Sequence, residues 1–318
     1  MGSIPTSGTT LSNAMTLPLD RRAFLSGALA LPLAAAAAGE AGARSAAPRR
    51  GSRIKLSCNL YSFNDPLTTG AMTLEQVIDY CAELGFDAVD PTGYYFNGYP
   101  APAADAEVYR IKHLAFRAGL AISGTGVRNN FVLSDETARA AEVAHVMRWI
   151  DVASKLGAPV LRVFSGLDVP TGHTAHQARE WVVECLTSVV QRGAERGVVI
   201  VLQNHHDFVK TAEDVLMLRR LVPSDWFGLN VDIGSLRMGD PYAEIAKLAP
   251  YAYTWQLKER LYRRNQEEKT DVSAVIRIIR DAGYRGYVPI ETLGPGDARE
   301  KVRRFLDEVR AAMAVVDE

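Results

Sequence analysis

Eight short apolar runs, separated by longer segments of helical periodicity, place the strongest limit on how this chain can fold. The runs occupy residues 54–60, 87–91, 120–125, 159–164, 198–203, 227–233, 252–257 and 287–291. Strands that alternate with helices form parallel sheets, and eight repeats favour a closed barrel over an open, doubly wound sheet. No Gly-x-Gly-x-x-Gly motif opens a helix after a strand, so a dinucleotide-binding fold lacks its phosphate loop. We therefore predict an α/β protein with a single (β/α)8 TIM barrel.

Helix boundaries support this division of the chain. Thr73 and Gln76 have the spacing of a capping box, and Thr211 and Asp271 are suited to begin later helices. Glycine can take the positive φ that often follows a helix, because it has no Cβ. Glycines in this position are expected to end four helices, at Gly85, Gly157, Gly197 and Gly283.

Composition excludes some classes of function. The formal net charge of the 318 residues is −1, so no large positive field would attract a nucleic acid backbone. Three widely spaced cysteines, Cys58, Cys81 and Cys185, form neither a disulfide framework nor a paired metal-ligand motif. We expect them to be small buried side chains.

The first fifty residues differ from the rest of the chain. Arg21 and Arg22 precede Phe24 and Leu25, and the uncharged, Ala- and Leu-rich run 26–38 follows. This run is too short to span a bilayer comfortably, and small residues at 41–43 offer a cleavage site. We predict a cleaved twin-arginine signal segment at 1–43, a linker at 44–52 and the barrel at 53–318. A Sec leader or a buried helix is the alternative, and the expected location is periplasmic or otherwise exported, without a stable membrane anchor after cleavage.

Polar residues close the last four runs, where the strands of a barrel meet at one mouth. Gln203, Asp232, Gln256 and Glu291 stand at or near these ends. A buried carboxylate is costly unless a positive charge compensates it, and a divalent cation would compensate Asp232 and Glu291 together. An all-oxygen ligand set predicts one divalent metal ion, Mg²⁺ or Mn²⁺. The alternative is an ion network in which both carboxylates pair with Lys258 or Arg162.

The segments 202–205, 231–234, 255–258 and 289–291 resemble the sugar phosphate isomerase/epimerase family, whose fold is the xylose-isomerase-like barrel. The resemblance extends over about residues 53–315. It implies that strand ends five to eight supply Glu, Asp, His and Glu to one metal, which by position are Gln203, Asp232, Gln256 and Glu291. Two of these four residues depart from the family pattern, and Gln203 cannot accept a proton as the usual glutamate does.

This departure leaves the second acid/base group open. Glu291 is the first catalytic candidate, and the nearest further candidates are His205, His206, Lys258 and Glu259. Histidine titrates near neutral pH, and adjacent strand residues point in opposite directions, so we expect one of the two histidines to face the mouth. Either histidine could instead hold a loop by hydrogen bonds.

Polar and aromatic residues after the earlier runs would suit sugar hydroxyls. Arg162 interrupts an apolar strand and needs a buried partner, either a substrate oxygen or Asp90. Trp255 could stack on a sugar, although a strand tryptophan is usually core. The candidate substrate-binding residues are Asn59, Tyr61, Tyr94, Arg128, Arg162, Asn204 and Trp255.

The predicted activity is a metal-dependent isomerase or epimerase of a sugar or keto-sugar, acting through an enediolate. Dehydroshikimate dehydratases of the same superfamily are similar in having a Gln at the seventh strand, which makes a lyase acting by β-elimination the main alternative. A sugar-binding barrel without turnover is a second one. The expected partner is a small carbohydrate, with no nucleic acid, and an oligomer is possible.

Overall fold

A computed structural model describes residues 54–317 of the chain. The strands are β1 (Lys55–Asn59), β2 (Ala88–Asp90), β3 (Ala121–Ile122), β4 (Thr125–Gly126), β5 (Val160–Phe164), β6 (Val199–Gln203), β7 (Phe227–Asp232), β8 (Ala252–Lys258), β9 (Arg260–Arg263), β10 (Gln266–Lys269) and β11 (Tyr287–Glu291). The helices are α1 (Asn64–Thr68), α2 (Leu74–Glu83), α3 (Asp105–Arg117), α4 (Glu136–Leu156), α5 (Ala175–Arg196), α6 (Ala212–Leu221), α7 (Pro241–Leu248), α8 (Val272–Asp281) and α9 (Ala298–Asp317). Short 3₁₀ turns lie at Leu60–Phe63, Gly93–Tyr95 and Ala249–Tyr251.

The parallel strands form a nearly closed barrel with helices between them. Hydrogen bonding gives the order β3-β2-β1-β11-β8-β7-β6-β5-β4, while β9 and β10 form a separate antiparallel hairpin. First and last strands of the chain are neighbours, since Leu56 of β1 pairs with Val288 of β11. The predicted (β/α)8 barrel is therefore confirmed.

The third predicted strand is divided in two. Strand β3 pairs with β2, whereas β4 pairs with β5, and Gly124 lies between them. A Cβ on Gly124 would lie 2.8 Å from Val160 Cγ2, so only glycine allows this close approach without a shift. The run 120–125 thus turns from one neighbour to the other and brings the barrel close to closure.

Helix caps agree with the sequence. The Thr73 hydroxyl accepts a hydrogen bond from Gln76 N, and the Gln76 side chain accepts one from Thr73 N. Thr211 and Asp271 cap α6 and α8. The four glycines expected after helices all have positive φ, between 69° at Gly197 and 81° at Gly157, with Gly85 and Gly283 between them.

The core lies inside the barrel and between the barrel and its helices. Its largest completely buried side chains include Trp149, Trp255 and Phe305. Cys58, Cys81 and Cys185 are buried and free, as predicted. Within residues 54–317, no helix has the length and apolar character needed to cross a membrane. The predicted leader at 1–43 and linker at 44–52 lie outside the described residues, so cleavage and export stay predictions.

Candidate active site

Four consecutive strands deliver polar side chains to the carboxyl-terminal mouth of the barrel. Strand pairing sets Asp232 of β7 beside Gln256 of β8, and Lys258 of β8 beside Glu291 of β11. Alternate strand residues face the same side, so Gln256 and Lys258 point together. Gln203 ends β6, the neighbour of β7. The predicted ligand residues therefore meet, together with Lys258.

Asp232 is the centre of the hydrogen-bond network at the floor of this mouth. Its Oδ2 atom accepts hydrogen bonds from Gln203 Nε2 at 2.8 Å, Ser235 Oγ at 2.9 Å and Lys258 Nζ at 2.9 Å. Its Oδ1 atom accepts one from Gly234 N at 2.9 Å. Each carboxylate oxygen offers about two lone-pair directions, so three donors saturate Oδ2, whereas Oδ1 accepts a single hydrogen bond.

Lys258 joins the two buried carboxylates. Its Nζ atom lies 3.2 Å from Glu291 Oε2, within ion-pair distance. The contact lacks hydrogen-bond geometry, and Glu291 Oε2 has no hydrogen-bond partner in the protein. The side chains of Lys258, Asp232 and Glu291 are 14%, 0% and 5% exposed, so this is an ion triad shielded from water.

The lysine affects the two acids differently. Burial raises the pKa of the Asp232 carboxyl, but Lys258 and Ser235 outweigh burial and hold that pKa below its ordinary value. Burial also raises the pKa of Glu291, and Lys258 only partly offsets this because Asp232 adds a like charge, so the net pKa is raised. Burial lowers the pKa of Lys258, but Asp232 and Glu291 outweigh it and the net pKa is raised. Glu291 is thus the more readily protonated of the two acids.

A divalent ion, which the family resemblance implies, would need oxygen lone pairs directed at one point in the floor of the mouth. Gln203 directs its amide N–H groups at Asp232 Oδ2 and at Gln256 Oε1, 2.7 Å away, because Asp232 can only accept. Lys258 presents a further positive group at the same position. Among residues 54–317, no group of three or more His, Cys, Asp or Glu residues is arranged to hold a metal. This arrangement does not fit a divalent cation; it matches the alternative of an ion network with Lys258, and the metal assignment stays a prediction.

A cavity of about 590 Å³ opens above this floor. Gln203 Oε1 is buried there without a hydrogen-bond partner, and so offers an acceptor to a ligand hydroxyl. Of the residues expected to bind metal or substrate or to catalyse, those that line the cavity are Asn59, Tyr61, Tyr94, Arg128, Arg162, Gln203, His205, Gln256, Lys258 and Glu291. The volume is in the range of small-molecule binding sites.

Arg162 is held as part of the cavity wall. Its guanidinium donates hydrogen bonds to Val127 O and to the Tyr94 hydroxyl, and it lies 4.3 Å from the centre of the Phe164 ring. Arg128 also contacts Tyr94, and its guanidinium carbon lies 4.6 Å from the centre of the Tyr94 ring. The Arg128 and Arg162 side chains thus both contact Tyr94. Strands β7 and β6 separate β5, which bears Arg162, from β8, which bears Lys258.

The two adjacent histidines have different surroundings. His205 lines the cavity, and its Nδ1 atom lies 2.7 Å from Asp207 Oδ2. His206 has a positive φ of 68° and lines a neighbouring groove beside Ser235 and Arg237, and burial followed by the Arg237 charge lowers its pKa. Of the two histidines, only His205 therefore lines this cavity.

Three other residues near the mouth do not line the cavity. Asn204 exchanges hydrogen bonds with the backbone of Asp232, which aligns the ends of β6 and β7. Trp255 is completely buried and packs edge-on against Tyr284, so it belongs to the core and does not line the cavity. Asp90 is buried near Arg162, and burial raises its pKa to about 6 despite that positive charge.

Sequence reasoning missed the loop residues that complete the cavity wall. Asn129 bridges the backbone N–H and C=O of Phe164, while Asn130 Oδ1 accepts from Val132 N and Leu167 N. Glu142 accepts a hydrogen bond from Asn130 N. The adjacent Asn129 and Asn130, four and five residues after the predicted run 120–125, were the available signal.

The fold and its mouth define a (β/α)8 barrel with a polar cavity at the carboxyl ends of its strands. The sequence profile described as xylose isomerase-like TIM barrel matches residues 78–309. The chain belongs to this family, and the predicted resemblance is confirmed. A search of curated protein sequences found no significant match.

Solved structures share the fold at low sequence identity. A D-psicose 3-epimerase structure determined in the presence of D-fructose has a TM-score of 0.69 and 17% identity, over 82% of this chain and 99% of that one. A xylose isomerase-like TIM barrel protein from Mycobacterium smegmatis in complex with magnesium has a TM-score of 0.63 and 19% identity, over 83% and 99%. The probable 3-DHS dehydratase involved in petrobactin synthesis from Bacillus anthracis has a TM-score of 0.63 and 16% identity, over 83% and 99%. Similar structures thus include both an epimerase and a dehydratase.

Proposed function

We propose that this protein is an isomerase or epimerase of a small sugar or keto-sugar, which moves a proton between carbon atoms next to a carbonyl group. The observation that supports this most directly is the environment of Glu291. Its carboxylate is buried in the floor of a polar cavity, with Oε2 unpartnered by hydrogen bonds and Lys258 Nζ 3.2 Å away. A raised pKa brings such a carboxyl closer to the range in which it can both accept and return a proton.

The proposed reaction begins when Glu291 removes a proton from the carbon next to the carbonyl. The electron pair of that C–H bond forms the C=C bond of an enediolate, and negative charge develops on the former carbonyl oxygen. Lys258, 14% exposed and lining the cavity, can donate a hydrogen bond to that oxygen. Return of the proton to the other face of the same carbon gives the epimer. Its return to the former carbonyl carbon, while the proton of the adjacent hydroxyl group moves to the former carbonyl oxygen, gives the isomer, and both products have unchanged mass.

His205 is proposed as the second proton-transfer group. When Nδ1 carries the proton and donates a hydrogen bond to Asp207, Nε2 has a free lone pair and can accept a proton. Strands β8 and β7 separate β11, which bears Glu291, from β6, which precedes His205. The two groups therefore approach the cavity from separate directions, as inversion of a carbon centre requires.

The test is incubation of the purified protein with a panel of aldo- and keto-sugars in D₂O, followed by mass spectrometry and proton NMR. We expect one substrate to gain deuterium at the carbon next to its carbonyl and to give an isomeric product. Glu291→Gln should stop the exchange while still binding the sugar, and the exposed Glu180 supplies the matched control Glu180→Gln. Sugar binding with no exchange in the parent protein would contradict the proposal and would favour a binding barrel.

A lyase is the second candidate, and the amide at Gln203 is the observation that favours it. Gln203 stands where the family resemblance implies a glutamate, and it cannot transfer a proton. An elimination can use Glu291 alone, first to remove the proton and then to protonate the leaving hydroxyl group. Loss of the mass of water, with new absorbance from a conjugated carbonyl, would identify this reaction.

The dependence on Mg²⁺ or Mn²⁺ expected from the sequence is not part of the proposed reaction. The reason is the donor set, since Asp232 Oδ2 accepts hydrogen bonds from three donors, Oδ1 accepts one from Gly234 N, and Lys258 supplies the positive charge. The residues assigned above bind the sugar, orient its carbonyl and transfer the proton.

A further inference from the structure

Lys258 lies at the point where the sequence predicts a divalent cation. We propose that its ammonium group takes the place of that cation, so that the site partly compensates the charges of Asp232 and Glu291 and polarises a carbonyl group without a metal ion. The nature of the carbonyl ligand rests on the proposed function. The replacement of the metal rests on the geometry of the floor alone.

The contacts of Asp232 are the first support. A metal ligand must direct a lone pair at the ion, but Asp232 Oδ2 already accepts from Gln203, Ser235 and Lys258 at 2.8 to 2.9 Å. Its other oxygen accepts from Gly234 N. A divalent ion could bind Oδ2 only after at least one of its three donors had moved away, and Gly234 N–H already occupies one of the two lone-pair directions of Oδ1.

The path of the lysine side chain is the second support. A Cβ placed on Gly234 would lie 2.8 Å from Lys258 Cδ, so the absence of a side chain at Gly234 gives the lysine stem its route to Asp232. The same residue donates its N–H to Asp232 Oδ1. Gly234 therefore both orients the carboxylate and admits the ammonium group that pairs with it.

The charge balance is the third support. Asp232 and Glu291 together bring two negative charges, and Lys258 leaves a net charge of −1 in the triad. A divalent ion bound to both carboxylates would lie close to the ammonium group, and two positive charges at that distance repel each other strongly where water is excluded. Lys258 and the metal are therefore alternatives, and one excludes the other.

The ammonium group also has a free donor for the reaction. It has three N–H bonds, of which one is directed at Asp232 and a second lies towards Glu291. The third can donate to the oxygen of a bound carbonyl group. When Glu291 takes the proton from the neighbouring carbon, this donor stabilises the oxygen that gains the electron pair, and no oxidant or other reactant is needed.

The first experiment uses the full chain, treated with EDTA and then equilibrated with MnCl₂ or MgCl₂. We expect far less than one metal ion per chain by elemental analysis, and the same thermal unfolding midpoint with and without the salt. A parent protein that retains one Mn²⁺ or Mg²⁺ per chain, and loses it on Asp232→Asn substitution, would overturn the proposal.

The second experiment removes the ammonium group with Lys258→Met. This variant leaves two buried carboxylates without compensation, so we expect a lower unfolding midpoint in EDTA and stoichiometric Mn²⁺ uptake that restores the midpoint. Lys247→Met is the matched control, because Lys247 lies on the surface and pairs with Glu244, and it should gain no metal. A folded Lys258→Met protein that binds no Mn²⁺ would also overturn the proposal.

If Lys258→Met does not fold even with Mn²⁺, the metal content of the parent protein decides the question. Both measurements are independent of turnover. A protein free of metal that converts no sugar would contradict the proposed function and leave this inference intact. Sugar turnover that requires stoichiometric Mn²⁺ would support the proposed function and contradict this inference.

Discussion

Lys258 Nζ lies 2.9 Å from Asp232 Oδ2, and Asp232 is completely buried at the floor of the cavity. Removing one partner of a buried ion pair leaves the other charge uncompensated, which costs more than the pair itself contributes. The stability of the barrel mouth therefore depends on keeping the triad of Lys258, Asp232 and Glu291 together.

Asp232→Asn should destabilise the protein by about 3 kcal/mol, because Lys258 would then depend on Glu291 alone for compensation. Urea unfolding at neutral pH measures the free energy of unfolding. Asp225→Asn is the matched control, since Asp225 is exposed, and should change the free energy by less than about 0.5 kcal/mol. Equal effects of the two substitutions would show that the buried ion pair has no special importance.

Asp90→Asn should stabilise the protein in a pH-dependent manner. Burial raises the pKa of Asp90 from 3.8 to about 6, and Arg162 only partly opposes this. The pKa of Asp90 is higher in the folded state than in the unfolded state. The contribution of Asp90 to the free energy of unfolding is therefore fully present below pH 3.8 and is lost as the pH rises through 6. By pH 8 the loss is on the order of 3 kcal/mol, and the asparagine variant avoids it.

The measurement for Asp90 is the difference in free energy of unfolding between parent and variant at pH 4 and pH 8. We expect the advantage of the variant to be larger at pH 8. Asp79→Asn, at an exposed position, controls for the general effect of removing a negative charge. A difference that does not change with pH would mean that Asp90 titrates normally in the folded protein.

Glu291→Gln should reduce the rate of proton transfer by about 10²- to 10⁴-fold, the usual contribution of a general base. Burial raises the pKa of Glu291 above the ordinary glutamate pKa of 4.5. As the pH is lowered, the activity of the parent protein should therefore begin to fall before the pH reaches 4.5. The checks are a pH profile of kcat/KM and single-turnover rates for both proteins. An unchanged rate in the variant would exclude Glu291 as the base.

Gln203→Glu restores the acid that the family resemblance implies, and it should destabilise the protein at pH 8. The new carboxylate would face Asp232 Oδ2 and Gln256 Oε1, where the Gln203 amide now donates at 2.8 and 2.7 Å. Two donated hydrogen bonds would become contacts between acceptors, at a cost of about 1–3 kcal/mol. Acidification to pH 5 should recover part of the loss by protonating the new group.

Thermal unfolding at pH 5 and pH 8 checks this prediction. Gln266→Glu is the control, because Gln266 is exposed on β10. A stable Gln203→Glu protein at pH 8 without added metal would mean that the amide N–H groups of Gln203 do not hold the network together.

Much of the fold was predictable because it depends on local chemistry. The capping box of Thr73 and Gln76, and the positive φ of Gly157 and Gly197, follow from side chains and backbone within a few residues. The eight apolar runs predicted the parallel strands. The division of the third run at Gly124 was not predictable, because it results from the close approach of Val160 on a strand more than thirty residues away.

The candidate site was predictable in membership more than in arrangement. Gln203, Asp232, Gln256 and Glu291 do meet, because parallel strands end at one mouth. Contacts between distant segments decide three features of the arrangement: the direction of the Gln203 amide, the different positions of His205 and His206, and the burial of Trp255. Periodicity indicates which face a residue takes, but it does not identify the partner atoms on that face.

The amino-acid sequence by itself determined the repeated strand and helix pattern, the helix ends and the polar residues that reach the mouth, because each depends on local conformation and on the burial of apolar runs. Only the tertiary structure decided that Lys258 lies between Asp232 and Glu291. The physical reason is that a buried charge is compensated by whichever opposite charge comes within a few ångströms, and that distance is set by strand register and by the space above Gly234.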